Sequence, residues 1–175
     1  QTYGFCRPGA AALLQDRVSA CIADIAVWMR SNRLQLNAAK TEVIWFASAR
    51  RQHQLPLDPL VVGSDAVTPV KSVRDLGVLL DSDLSMRSHI TKTVSSCFAA
   101  LRQIRSIRRS VSRPVLQSLV SALVVSRLDY GCATLSGLPA VQLDRLQAVL
   151  NAAARLVFTA RKYDHITPLL RELQW

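Results

Sequence analysis

The sequence predicts an α+β chain, with strands confined to the first half and helices alone in the second. Three observations carry this. Val18, Ile22, Ile25 and Met29 recur at spacings of 4, 3 and 4, which places them on one helix face. Short apolar blocks broken by Gly, Pro and Asp lie between residues 43 and 83, with strand length and strand composition. Beyond residue 85 the apolar period is helical to the end of the chain. A boundary near residue 85 is therefore expected, with domains 1–85 and 86–175.

In chain order, residues 10 to 31 read as a helix that Asn32 stops. In "LQLNAAKTEVIWF", residues 34 to 46, a small polar turn carrying Lys40 gives way to Val43, Ile44, Trp45 and Phe46, which have the composition of a buried strand. Residues 47 to 59 form a polar, Pro-containing connection. Leu60 to Val62, a Gly63-Ser64-Asp65 turn and Val67 to Val70 suggest a hairpin whose second arm Pro69 pushes to an edge. Residues 76 to 80, "LGVLL", read as a further strand closed by Asp81-Ser82-Asp83. Four helices follow at 86–109, 113–135, 139–160 and 166–173. Ser112 with Pro114 opens the second, and Gly137-Leu138-Pro139 separates it from the third.

Length and composition set bounds. A chain of 175 residues, 50% hydrophobic and 19% charged, can bury a core and is not of disordered composition. Lys and Arg number 22 against 12 Asp and Glu, a net +10, which favours a polyanionic partner: nucleic acid or an anionic membrane surface. The most apolar run, residues 115 to 128, is interrupted by Gln117 and three serines and is too short to span a bilayer. No basic-then-apolar leader pattern opens the sequence. Cys6, Cys21, Cys97 and Cys132 lack C-x-x-C spacing and read as reduced, small apolar residues. The chain begins at Gln1 without Met and stops in mid-pattern at Trp175, so a piece of a longer protein is expected.

The positive charge is concentrated. No acidic residue lies between Asp83 and Asp129, whereas Arg102, Arg105, Arg108, Arg109 and Arg113 crowd one segment. At about 100° per residue, Arg102, Arg105, Arg109 and Arg113 share a quarter to a third of a helix circumference, with Ile104, Ile107 and Val111 opposite. Without local carboxylates these groups repel one another unless a polyanion neutralises them. Nucleic acid is the expected partner, against a solvated face, a membrane surface or a partner protein.

Other candidates have plainer readings. Asp81-Ser82-Asp83 offers paired carboxylates to a metal, but between a strand and a helix it reads better as turn and N-cap. His53, His89 and His165 lie far apart and read as surface or capping residues. Trp28 and Trp45 read as core. On pattern alone Lys40 is a surface lysine.

Five blocks in order add a resemblance: "WMRSNRLQLNAAKTEVIWF" (28–46), "VRDLGVLLDSDLSMRSHI" (73–90), "SRLDYGCATLSGLP" (126–139), "LQAVLNAAARLV" (146–157) and "DHITPLLRELQW" (164–175). Together they resemble the reverse transcriptases of LINE-type (non-LTR) retrotransposons, on the Jockey and chicken-repeat side, over nearly the whole chain. The resemblance implies a C-terminal remnant of the palm in 1–85 and a helical thumb in 86–175. It implies that Lys40 meets the triphosphate of an incoming dNTP as a charge stabiliser or general acid. Gly77 lies in the block that resembles the primer-gripping strand, where a glycine allows close backbone approach. The arginines then meet an RNA template paired with a DNA primer.

The same resemblance implies Mg2+ in the intact parent enzyme, held by aspartates of two palm motifs that would precede Gln1, together with fingers, upstream palm and an endonuclease on the same polyprotein. This chain alone is then inactive, and its parent acts in the nucleus with no membrane partner. Gly131 before Cys132, and Leu150 before Asn151, depart from the family pattern. The rival expectation is a non-catalytic basic helical nucleic-acid-binding or scaffold protein derived from a decayed element.

Overall fold

A computed structural model describes residues 1–63 and 65–175. The chain is of mixed α+β class and divides into two compact units, Gln1–Ser85 and Met86–Trp175.

The first unit opens with α1 (Ala11–Ser31). Asn32 caps it: its backbone N–H and its side-chain amide both donate to the Trp28 carbonyl, at 3.2 and 2.8 Å. The stripe of Leu14, Val18, Ile22 and Ile25 lies on one side, yet no residue of α1 is buried. Trp28 is 61% exposed, which corrects the expectation of a core tryptophan.

Four short strands follow. Strands β1 (Leu60–Val62) and β2 (Asp65–Val67) form one antiparallel pair, and β3 (Ser72–Asp75) and β4 (Val78–Asp81) another. They do not join into one sheet. The first hairpin is shorter than expected. Asp65 belongs to β2 rather than to the turn, the arm ends at Val67, and Ser64 lies outside the described residues.

The strand expected at residues 43–46 does not form. Only Val43 makes a bridge, to Pro69, with the Val70 amide donating to the Val43 carbonyl at 2.8 Å. The apolar block has strand preference but no neighbouring strand along its length, and β preference is expressed only against a partner. Gln52 steadies the segment. Its amide donates to the carbonyls of Ala47 and Ser82 and accepts from the Ser82 hydroxyl. Trp45 is half-buried, and its indole N–H is buried without a hydrogen-bond partner.

Strand β3 was not expected at all, and it changes the place of Gly77. Leu76 and Gly77 are the two central residues between β3 and β4, both at positive φ (45° and 91°). A two-residue hairpin loop of this hand matches the twist of its strands, and glycine is the residue that adopts it without cost. Gly77 is thus a turn residue, not a strand residue.

The second unit contains α2 (Arg87–Ile107), α3 (Arg113–Val120), a π-helical turn (Ser121–Val125), α4 (Ser126–Asp129), α5 (Ala140–Phe158) and α6 (Ile166–Leu173). The segment expected as one helix over 113–135 therefore carries a π-helical turn and stops at Asp129. Gly131, at φ 79°, turns the chain into a short 3-10 stretch, Cys132–Leu135.

The core of this unit follows from helical spacing. Cys97, Leu101 and Ile104 of α2 meet Leu116, Val120 and Val124, Leu128 of α4, Val149, Ala153, Leu156 and Val157 of α5, and Leu173 of α6. Proline in the first turn of α3 pre-sets its backbone. Helices α5 and α6 end on left-handed residues, Thr159 and Gln174. After Gln174 the Trp175 amide donates to the Leu170 carbonyl at 3.0 Å while its ring packs on the core.

Candidate nucleic-acid interface

Lys40 is presented by a local device. Asn37 precedes a 3-10 turn, Ala38–Lys40, and its side-chain oxygen accepts the Lys40 amide at 3.2 Å. The Thr41 hydroxyl then donates to the Asn37 carbonyl at 2.9 Å. Asparagine favours this arrangement because its side chain imitates a backbone acceptor. The Lys40 side chain is exposed, and its residue lines a cavity of about 920 Å³. The walls are mainly apolar: the α1 stripe on one side, residues 43–47 and the N-terminal segment on the other. An ammonium at the rim of an apolar slot can meet an anion, and Arg51 lines the same cavity.

Asp81 and Asp83 are engaged in a turn. The Ser85 amide donates to Asp83 Oδ1 at 3.0 Å, and the Ser85 hydroxyl to Asp81 Oδ2 at 3.3 Å. These bonds brace the chain before α2, whose own N-cap, Met86, makes no side-chain capping bond. Among the described residues no three His, Cys, Asp or Glu side chains cluster as metal ligands do. His53 and His165 are exposed; His89 is buried, against expectation.

The arginines occupy three settings rather than one helix face. Arg102 and Arg105 lie exposed on α2. The helix ends at Ile107, so Arg108 and Arg109 fall in a 3-10 turn, Arg108–Ser110, where the helical angle no longer applies. Arg113 heads α3. It is paired with Glu172 and stacks over the Phe158 ring, 4.1 Å from its centroid. Arg113 thereby holds α6 and α5 and is not the unpaired cation expected from its local sequence. Ile104 is buried as expected, while Ile107 is 44% exposed.

Two further guanidinium groups, Arg127 of the same acid-free span and Arg145 beyond it, lie outside the expected set. Arg127 donates to the Ser96 hydroxyl at 2.7 Å, and Arg145 to Thr91 Oγ1 and Gln142 Oε1, both at 3.1 Å. Both reach α2 from helices far along the chain, so no local pattern gives their partners. Charge is very unevenly divided. Residues 1–85 carry 9 Lys and Arg against 8 Asp and Glu, a net +1; residues 86–175 carry 13 against 4, a net +9.

The four cysteines are free thiols. Cys6 and Cys132 are exposed, Cys21 is half-buried and Cys97 is buried. Burial pushes the Cys97 thiol up from its ordinary value, an effect that the positive charge of Arg127 partly opposes.

A mixed α+β chain whose positive charge is gathered on a helical unit is thus in hand, with no helix among the described residues long and apolar enough to cross a membrane. Its likeness to known proteins is distant and partial. Over 150 residues, 84% of this chain, it is 24% identical to a Drosophila melanogaster protein described as "Probable RNA-directed DNA polymerase from transposon X-element". The chain spans 16% of that relative's length. No protein-family model matches, and no solved structure matches.

Proposed function

We propose that this chain is part of a reverse transcriptase of a non-LTR, Jockey-like retrotransposon: the C-terminal part of the palm in 1–85 and the thumb in 86–175. The observation that carries the reading is the similarity to a transposon RNA-directed DNA polymerase over 84% of the chain. The net +9 of the helical unit supports a thumb that grips template and primer.

In this reading Lys40 contacts the dNTP triphosphate. A lysine ammonium is a compact donor that stabilises developing phosphate charge or hands over a proton. Arg102, Arg105, Arg108 and Arg109 contact the phosphates of an RNA–DNA duplex, and Arg113 orders the helices behind them. The metal-holding aspartates belong to polypeptide outside these residues, and Asp81 and Asp83 serve a turn. Fingers, the rest of the palm and an endonuclease complete the polyprotein, which works in the nucleus. Gly77 shapes the turn of a hairpin laid against the primer.

Two measurements test this. Four arginine–phosphate contacts give a slope of about −3.6 in log affinity against log salt, so RNA–DNA duplex binding should fall about a hundredfold between about 50 and about 200 mM salt. Salt-independent binding refutes the grip. In an enzyme extended to include the missing palm, Lys40→Ala should slow nucleotide addition about ten- to a hundredfold with duplex affinity unchanged. An unchanged rate removes Lys40 from the site.

A further inference from the structure

The buried side of α2 is given by Ile90, Cys97, Leu101 and Ile104, and the flank beside it, about 110° round the helix, stands in solvent. On that flank Thr91, Ser95, Phe98, Arg102 and Arg105 are all exposed. At 100° per residue they fall within about 80° of one another. The face is therefore a single strip running along the helix.

Phe98 is its anomaly. It is a phenyl ring 37% exposed, in the middle of a strip otherwise made of hydroxyls and guanidiniums, at the edge of the buried side. Arg102 and Arg105 lie about 6 and about 10.5 Å further along the axis. In the other direction Thr91 lies about 10.5 Å away, and there Arg145 reaches in from α5 to donate to the Thr91 hydroxyl. The ring is thus flanked at both ends by guanidinium groups, with no carboxylate on the strip.

We propose that this exposed flank of α2 is a stacking platform for an unpaired nucleic-acid strand: a base lies on the Phe98 ring while Arg102, Arg105 and Arg145 hold the phosphates on either side. Alternation of aromatic and cationic groups suits a single strand, because every base has a π-face and its backbone supplies charge at short intervals. A duplex offers phosphates to the same arginines but no free base face to the ring, except at its ends. Stacking of this kind is indifferent to sequence. The inference rests on the nucleic-acid reading above and adds to it: the α2 arginines that take duplex phosphates also serve the single-stranded portion beside the duplex, whose base meets Phe98.

The test uses the 175-residue chain and two RNA–DNA hybrids of equal duplex length, one blunt and one with a single-stranded tail. The tailed hybrid should bind about tenfold more tightly than the blunt one. Phe98→Leu should remove most of that ratio and leave blunt-hybrid affinity unchanged, while Phe98→Tyr, which keeps the ring, should retain it. Arg102→Gln with Arg105→Gln should weaken both probes and lower the salt slope by about 2. Circular dichroism of each variant checks that the helices persist. A tail that gives no gain, or a gain that survives Phe98→Leu, overturns the platform while leaving salt-dependent duplex binding in place. If neither hybrid binds, the nucleic-acid reading itself fails, and the platform with it.

Discussion

Residues 1–85 and residues 86–175 are nearly equal in length and are built in opposite ways. Among the described residues the first unit buries Leu60, Val62 and Asp81, whereas the second gathers 14 buried side chains into one cluster. The first carries net +1 and the second net +9. Apolar content alone does not explain the contrast, since α1 has a well-spaced apolar stripe. What differs is whether apolar faces meet. In the helical unit, α2, α3, α5 and α6 each turn a stripe toward a common centre. In the first unit the α1 stripe and residues 43–46 face a cavity of about 920 Å³, and the two hairpins remain separate pairs. Two-stranded pairs are marginal on their own, so this unit has little to hold it together.

The sharpest way to break this comparison is to remove one apolar side chain from each unit. Ile104 is 3% exposed and belongs to the helical core, so Ile104→Ala should cost about 2–4 kcal/mol of unfolding free energy in urea. Val18 lies on α1 against the cavity with no buried neighbour on its own helix, so Val18→Ala should cost less than about 1 kcal/mol. Equal costs would show that the first unit has a core of comparable strength. Limited proteolysis of the intact chain should accordingly cut within 1–85 first and leave a resistant fragment of 86–175; the reverse order contradicts the contrast.

A smaller effect separates the units by pH. Burial raises the Cys97 thiol above its ordinary value of 9.0. Below that pH both folded and unfolded chains keep the thiol protonated, and burial contributes fully. Above it the unfolded chain ionises first, so stability is lost as pH rises toward the higher folded value. The helical unit should lose stability above about pH 9, with a slope from this group of at most about 1.4 kcal/mol per pH unit. Cys97→Ala, weaker overall, should show a correspondingly flatter alkaline profile. Identical slopes in the two proteins exclude the thiol as the cause.

How much of this was legible in the sequence also divides at the same boundary. The helices of the second unit could be read because their apolar period is long and Pro114 and Gly137 punctuate it; residues 166–173 correspond to α6, Ile166–Leu173. The end of α2 at Ile107 could not, because the Arg-Ser-Ile-Arg-Arg run continues the helical period past the point where the helix stops. Strand β3, Ser-Val-Arg-Asp, is too short and too polar to announce itself, and its absence from the reading displaced Gly77 from turn to strand. Residues 43–46 show the converse: strand composition without a partner gives only one bridge. Among the candidate site residues, the α2 arginines stood out by local charge, whereas Lys40 reads as a surface lysine on pattern alone and was singled out by the resemblance. The Arg113–Glu172 pair and the Arg145–Thr91 bond join residues 59 and 54 positions apart, which no local pattern encodes.

The smallest predicted change tests the weak unit from within. Leu76 sits at φ 45° in the β3–β4 turn, a left-handed conformation that costs a branched, bulky residue about 1 kcal/mol. It is 84% exposed, so its side chain contributes almost no packing that a substitution could lose. Asparagine tolerates this conformation, and Asn-Gly is the pair that two-residue hairpin loops of this type favour. Leu76→Asn should therefore stabilise the hairpin by about 0.5–1 kcal/mol, read as slower amide exchange across Ser72–Asp75 and Val78–Asp81. The helical unit should not respond. Slower exchange in both units would mean that they unfold together, and that the first unit borrows its stability from the second; no change in either would mean that the strain at Leu76 is already relaxed in solution.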